Sequence, residues 1–167
     1  RTQSRSRPRG RGRQAAARVR GSPGDRSAVL GVAPATVAGV DLQPACPCGT
    51  ETAYDACCGR LHRGAGRAET AEQLMRSRYA AYAVGDAAYI FATWHPRTRP
   101  HDVAIDPALR WTGLAILDSV AGGPGDEEGE VEFVARYDSP AGGGELQERS
   151  RFARRAGRWL YLDGDVS

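Results

Sequence analysis

Four cysteines fall within thirteen residues, in the order Cys46-Pro-Cys48-Gly-Thr-Glu-Thr-Ala-Tyr54-Asp-Ala-Cys57-Cys58-Gly59, and the rest of the 167-residue chain has none. A secreted disulfide scaffold spreads its cysteines so that they staple distant segments, whereas clustering of this kind fits a metal site in a reducing compartment. Cys-x-Cys at one end and Cys-Cys at the other, separated by an eight-residue loop, supply four thiolates for a tetrahedral zinc ion. Pro47 and Gly49 permit a tight knuckle whose backbone N–H groups point at the sulfurs. A closed set of four sulfurs leaves no position for substrate, so Cys46, Cys48, Cys57 and Cys58 are expected to hold a structural zinc that supplies folding energy to the segment. The competing chemistry is redox, because Cys57 and Cys58 are adjacent and a low-pKa thiolate pair can be oxidised. The absence of a Cys-x-x-Cys spacing argues against it. His62 can substitute for one cysteine as a ligand, but four sulfurs already fill the shell.

Other residues capable of chemistry are scattered. Glu148 and Ser150 share a strand face with Leu146 and Phe152, where a carboxylate among apolar neighbours can act as a general base. The structural alternative pairs Glu148 with Arg76 or Arg78 from a preceding helix. His95, beside Trp94 and Pro96, is a candidate acid–base group or a cap for the end of its helix. His62 and His101 are placed in loops and carry little signal, and Tyr79, Tyr82, Trp111 and Trp159 read as core and rim. No Ser-His-Asp grouping, phosphate-binding glycine loop or carboxylate-rich metal site is present. The balance leans away from an enzyme.

The elements that must position these groups are readable from patterning. Thr70 and Gln73 form a capping box ahead of a helical repeat of Ala71, Leu74, Met75, Arg78, Tyr79 and Tyr82, with Gly85 as the stop. Asp86 caps a shorter helix carrying Tyr89, Ile90, Phe91 and Trp94, ended by Pro96. Residues 97–109 read as irregular. Four strands are expected at 111–120, 130–137, 146–154 and 158–162, joined by short Gly- and acid-rich turns. Val131, Phe133, Ala135 and Tyr137 share one face, while Gln147, Arg149 and Arg151 lie opposite the Leu146 to Phe152 face. Two helices followed by an antiparallel meander make an α+β fold, helices packed on one side of a curved antiparallel sheet.

Charge divides the chain. Residues 1–26 carry nine arginines against the single acid Asp25, whereas from Cys46 onward fourteen arginines face eighteen acids. All 23 basic residues are arginine, which points to a GC-rich coding sequence. Residues 1–44 are too poor in large apolar side chains to offset their ordering entropy and are expected to be disordered. A nucleic-acid arm is one reading of this tail. Without stacking aromatics, an unselected extension, as from a start site placed too far upstream, is preferred, and nucleic acid is not the expected partner. No apolar run is long enough to span a membrane. The run 27–40 is interrupted by Gly31, Pro34 and Gly39 and makes a poor secretory signal, so a cytoplasmic location is expected.

Cys-Pro-Cys-Gly followed eight residues later by Cys-Cys-Gly resembles the SEC-C zinc motif found at the end of the SecA translocation ATPase. The run from Thr70 to Tyr79, the Ala92-Thr93-Trp94-His95-Pro96 segment and the late Glu148-Arg-Ser-Arg-Phe152 with Gly157-Arg158-Trp159 resemble the YchJ-like family of bacterial proteins. The resemblance covers about residues 45–165. It implies a zinc motif at 45–66 joined to a nuclear-transport-factor-2-like cone at 67–167, with the tail 1–44 outside. The family's usual Gly-Ser-Gly after the second cysteine is here Gly49-Thr50-Glu51, and a second cysteine motif carried near the C-terminus by some members is absent. The implied role is a binding or adaptor protein whose zinc knuckle meets a protein partner, with Arg60, His62 and Arg63 as part of that surface. A small-ligand binder or an isomerase- or dehydratase-like enzyme using the cone pocket is the alternative.

Overall fold

The computed structural model describes residues 44–167, so the tail expectation for residues 1–44 lies outside the described residues apart from Pro44. After a 3-10 turn at Tyr54–Ala56 come α1 (Cys58–His62), α2 (Ala71–Val84) and α3 (Ala87–Ala92). A four-stranded antiparallel sheet follows: β1 (Arg110–Ala121), β2 (Glu128–Ser139), β3 (Gly142–Arg155) and β4 (Arg158–Val166), paired in chain order.

Capping chemistry sets the helix ends. Thr70 accepts a hydrogen bond from the Gln73 backbone N–H at 3.0 Å, and Gly85 closes α2 in the left-handed region. The Gln73 side chain returns to the Glu69 N–H, one residue earlier than a strict capping box requires. Asp86 caps α3 by accepting from the Tyr89 N–H. This helix stops at Ala92, two residues short of the expected Trp94. Trp94 is instead drawn into a bridge with Tyr161 of β4. Residues 97–109 contain no helix or strand.

The alternating face of β2 is buried throughout, at Val131, Phe133, Ala135 and Tyr137. α2 lies across β1, β2 and β4, seating Leu74, Met75 and Tyr79 against Phe133, Phe152 and Trp159. Each such fully buried large side chain contributes about 2–3 kcal/mol. The opposite face is polar: Arg149 pairs with Asp118, Glu130 and Glu132, and Arg151 with Asp163 and Asp165. Register shifts in β1 against β2 and at Arg151/Phe152 against β4 bend the sheet around the helices.

Candidate functional site

The cysteine segment folds as a small hairpin closed by a turn of helix. Ala45 bridges Ala53, the Cys46 N–H donates to the Thr52 carbonyl at 2.9 Å, and the Tyr54 N–H donates to the Pro44 carbonyl. Cys46 and Cys48 sit at the turn, where Gly49 adopts φ +82°, a conformation a side chain would strain. The 3-10 turn then reverses the chain and delivers Cys57 and Cys58 at the start of α1.

The four sulfurs lie within 4.8 Å of one another. Cys48 and Cys57 are 3.7 Å apart, Cys57 and Cys58 3.8 Å, and all four cysteines are free. A tetrahedron of thiolates about 2.3 Å from a central ion has sulfur–sulfur edges of about 3.8 Å. The donor set therefore fits a four-coordinate metal ion. Thr50 Oγ1 lies 3.2 Å from both Cys48 and Cys57 sulfurs, so the threonine that replaces the expected serine keeps a hydroxyl at the site. Backbone N–H groups of Cys48 and Cys58 serve the Cys46 sulfur, and that of Thr50 serves Cys48.

Protonation in the cluster is uneven. Hydrogen bonding from Cys58, outweighing burial and aided by Thr50, holds the Cys48 thiol down at about 4. The same bond pushes the Cys58 thiol far up, with burial adding to it, and burial pushes Cys46 up to about 11.

The knuckle is not an appendage. Cys46, Cys48 and Cys58 are buried in the same core as Leu74, Met75 and Phe133. Arg76 donates to the Cys48 carbonyl at 3.0 Å and pairs with Glu72, which places it at the knuckle and away from the cone interior. His62, expected in a loop and on a partner-facing surface, instead ends α1 and is half-buried. Its Nδ1 accepts from the Tyr54 hydroxyl at 2.7 Å, and its Nε2 donates to the Ser77 carbonyl at 2.9 Å. Both nitrogens are therefore committed to joining the knuckle to α2. Arg63 is exposed and paired with Asp55, and Arg60 is half-buried beside the cysteines.

Inside the cone the candidate residues separate. Glu148, Ser150 and Arg78 share the interior, but Glu148 pairs with neither Arg76 nor Arg78. Its Oε1 accepts from Ser150 at 2.6 Å and from the Tyr161 hydroxyl at 3.0 Å. Gly164 leaves the room it occupies, since a Cβ there would lie 2.2 Å from the same oxygen. The fully buried Arg78 donates to the Ile90 carbonyl and Thr93 Oγ1, both at 2.9 Å, and stacks on Trp94 and Tyr161. Burial lowers the Arg78 pKa and raises that of Tyr161. His95 is outside this group: its Nδ1 accepts from the Arg97 N–H, and its backbone N–H bonds to the Tyr161 carbonyl. Tyr161 and Thr93 are not among the residues singled out from sequence; the alternation of Trp159 and Tyr161 along β4 is the signal that could have found Tyr161.

Comparison with known proteins agrees with this architecture. The family described as YchJ, middle NTF2-like domain, matches residues 70–164. A UPF0225 protein of Streptomyces coelicolor is 53% identical over 122 residues, covering 73% of this chain and 95% of its own. One from Cupriavidus pinatubonensis is 49% identical over 127 residues, covering 72% and 87%. The solution structure of a SEC-C motif containing protein from Rhodopseudomonas palustris matches with a TM-score of 0.64 at 36% identity, over 72% of this chain and 96% of that one. A crystal structure of a SEC-C motif containing protein from Psychrobacter arcticus matches with a TM-score of 0.60 at 29% identity, over 73% and 82%.

Proposed function

The chain belongs to the YchJ family, whose members carry an NTF2-like middle domain, and from that membership we propose that it is a zinc-stabilised adaptor whose cysteine knuckle meets a protein partner. The observation that carries the reading is the closed set of four sulfurs at tetrahedral spacing. Four thiolates suit zinc or iron. Zinc is favoured because the cluster is tied into the hydrophobic core, where an ion without redox chemistry serves as a permanent brace. Bound there, it would act as a structural cross-link with no vacant coordination position. A half-open groove of about 420 Å³ beside Cys57, lined by Thr52, Arg60, Glu72 and Arg76, is the surface through which a partner is met.

Four cysteines gathered as one metal-binding cluster, and not spread to staple distant segments, fit a reducing compartment, which supports a cytoplasmic location. Among the described residues no helix is long and apolar enough to cross a membrane. The enzyme reading gains no specific support, because Glu148, Ser150 and Tyr161 spend their polar groups on one another.

Two measurements test the proposal. Elemental analysis of gently purified protein should give one zinc per chain, and iron or no metal would overturn the assignment. Crosslinking in cells should recover a partner that Arg60→Glu loses while zinc content holds. Recovery unaffected by that change would remove the groove from the interface.

A further inference from the structure

Fourteen arginines lie in the described residues, and most are accounted for. Arg63, Arg76, Arg110, Arg136, Arg149 and Arg151 pair with carboxylates. Arg78 and Arg154 are held by backbone carbonyls. Among the rest, Arg67, Arg99, Arg155 and Arg158 converge on one open groove of about 360 Å³ with no acidic residue in its lining. Trp94 and Leu160 contribute its apolar wall.

The arrangement is electrostatically unfavourable by itself. Arg155 and Arg158 are direct cross-strand partners at the end of the β3–β4 hairpin, so two arginine side chains leave the same face side by side. Like charges so placed destabilise a hairpin, and an unselected surface tends to separate them or interleave acids. The field reaches a neighbour: burial and then the charges of Arg97 and Arg155 lower the His95 pKa. Within the wall, the Trp94 indole N–H is buried with no acceptor. Arg99 is fixed with its guanidinium 4.0 Å from the Phe91 ring centroid, which preorganises it without using its charge.

We propose that this groove binds a ligand carrying two or more phosphate groups, gripped by Arg155 and Arg158 and flanked by Arg67 and Arg99. Guanidinium forks match phosphate oxygens in pairs, and several unpaired forks around one groove suit a di- or triphosphate better than a single charge. The groove's size fits a nucleotide, with the apolar wall facing the non-phosphate part. The site is separate from the cysteine knuckle and does not depend on the adaptor reading.

The test is an NMR titration of the zinc-loaded full chain with inorganic tripolyphosphate, with ATP and with a short single-stranded RNA. Expected are shifts at Ala156, Gly157, Arg158 and the Trp94 indole, weakening with added salt. Arg155→Glu with Arg158→Glu should lower affinity by at least about tenfold while leaving the melting temperature unchanged or higher. Shifts with ATP identify free nucleotide as the source of the phosphates, and shifts with RNA alone identify nucleic acid. Shifts confined to residues 1–43, no shifts, or an unchanged affinity in the double variant would overturn the proposal.

Discussion

The knuckle and the cone interior both gather polar groups inside a hydrophobic core, yet they leave those groups in different states. In the cone, Glu148 is satisfied by Ser150 and Tyr161, and Arg78 by Ile90 and Thr93. In the knuckle, four sulfurs face one another around a space the size of one ion, with one anionic and at least two held protonated. A polar cluster that closes on itself contributes to stability and specificity of the fold. Four sulfurs at tetrahedral spacing are instead a donor set suited to a metal ion. This contrast separates the two regions where burial alone does not.

The largest effect should come from breaking the knuckle. Cys48→Ser removes the sulfur that anchors the thiolate and touches Cys57. Because metal binding and folding of such a segment are one equilibrium, we expect loss of the bound ion and a destabilisation above about 4 kcal/mol. The three buried cysteines belong to the domain core, so the melting transition of the whole domain should fall with it. Native mass spectrometry and thermal melts read both. Retention of the metal with an unchanged melt would make the knuckle ornamental.

Arg78→Met is the matching lesion in the cone. It takes the donor from the Ile90 carbonyl and Thr93 Oγ1 and removes the cation near the half-buried Glu148, and should cost about 2–4 kcal/mol. Zinc content should not change. If denaturant melts show Arg78→Met to be neutral or stabilising, the guanidinium is there for a ligand and the enzyme reading revives.

Protons distinguish the two regions as well. Binding an ion as thiolates must displace protons from Cys46, raised to about 11, and from Cys58, raised further. Both are protonated at neutral pH, so metal affinity should rise by at least about a hundredfold per pH unit between roughly pH 5 and 8. Below about pH 4, where Cys48 also takes up its proton, the dependence steepens. Competition against a chelator across that range measures the slope, and a flat profile would exclude thiolate ligation.

How far each region was legible follows from the same difference. The knuckle lies in one stretch of chain, so its ligands and tight turn could be read from spacing. Caps at Thr70, Asp86 and Gly85 and the alternation of β2 placed the elements because these signals are local. The cone network spans Arg78 to Tyr161, and its pairings depend on the register shift at Arg151/Phe152, which no local pattern encodes. Helix periodicity narrows one pair of alternatives: Arg76 and Arg78 are two positions apart on a helix, about 200° around its axis, so only one can face the cone. His62 was misplaced because the short α1 carries no cap signal, and its role depends on Ser77 fifteen residues away.

A matched pair of hydroxyl deletions draws the comparison most finely. Thr50→Val removes the group that lies 3.2 Å from two sulfurs while preserving side-chain shape. Loss of such an outer hydrogen bond typically weakens metal binding by about 10–100-fold, so chelator competition should shift while the zinc-saturated melt moves little. Thr50→Ser, which keeps the hydroxyl, should retain the affinity. Ser150→Ala removes the donor at 2.6 Å from Glu148 in the cone. That change should lower stability by about 1 kcal/mol and leave metal affinity untouched. Crossed results would mean that the two regions are coupled through α2, which carries both Arg76, bonded to the Cys48 carbonyl, and the cone's Arg78. A double-mutant cycle between Thr50 and Ser150 would then show an interaction energy well above zero, where independent regions give simple additivity.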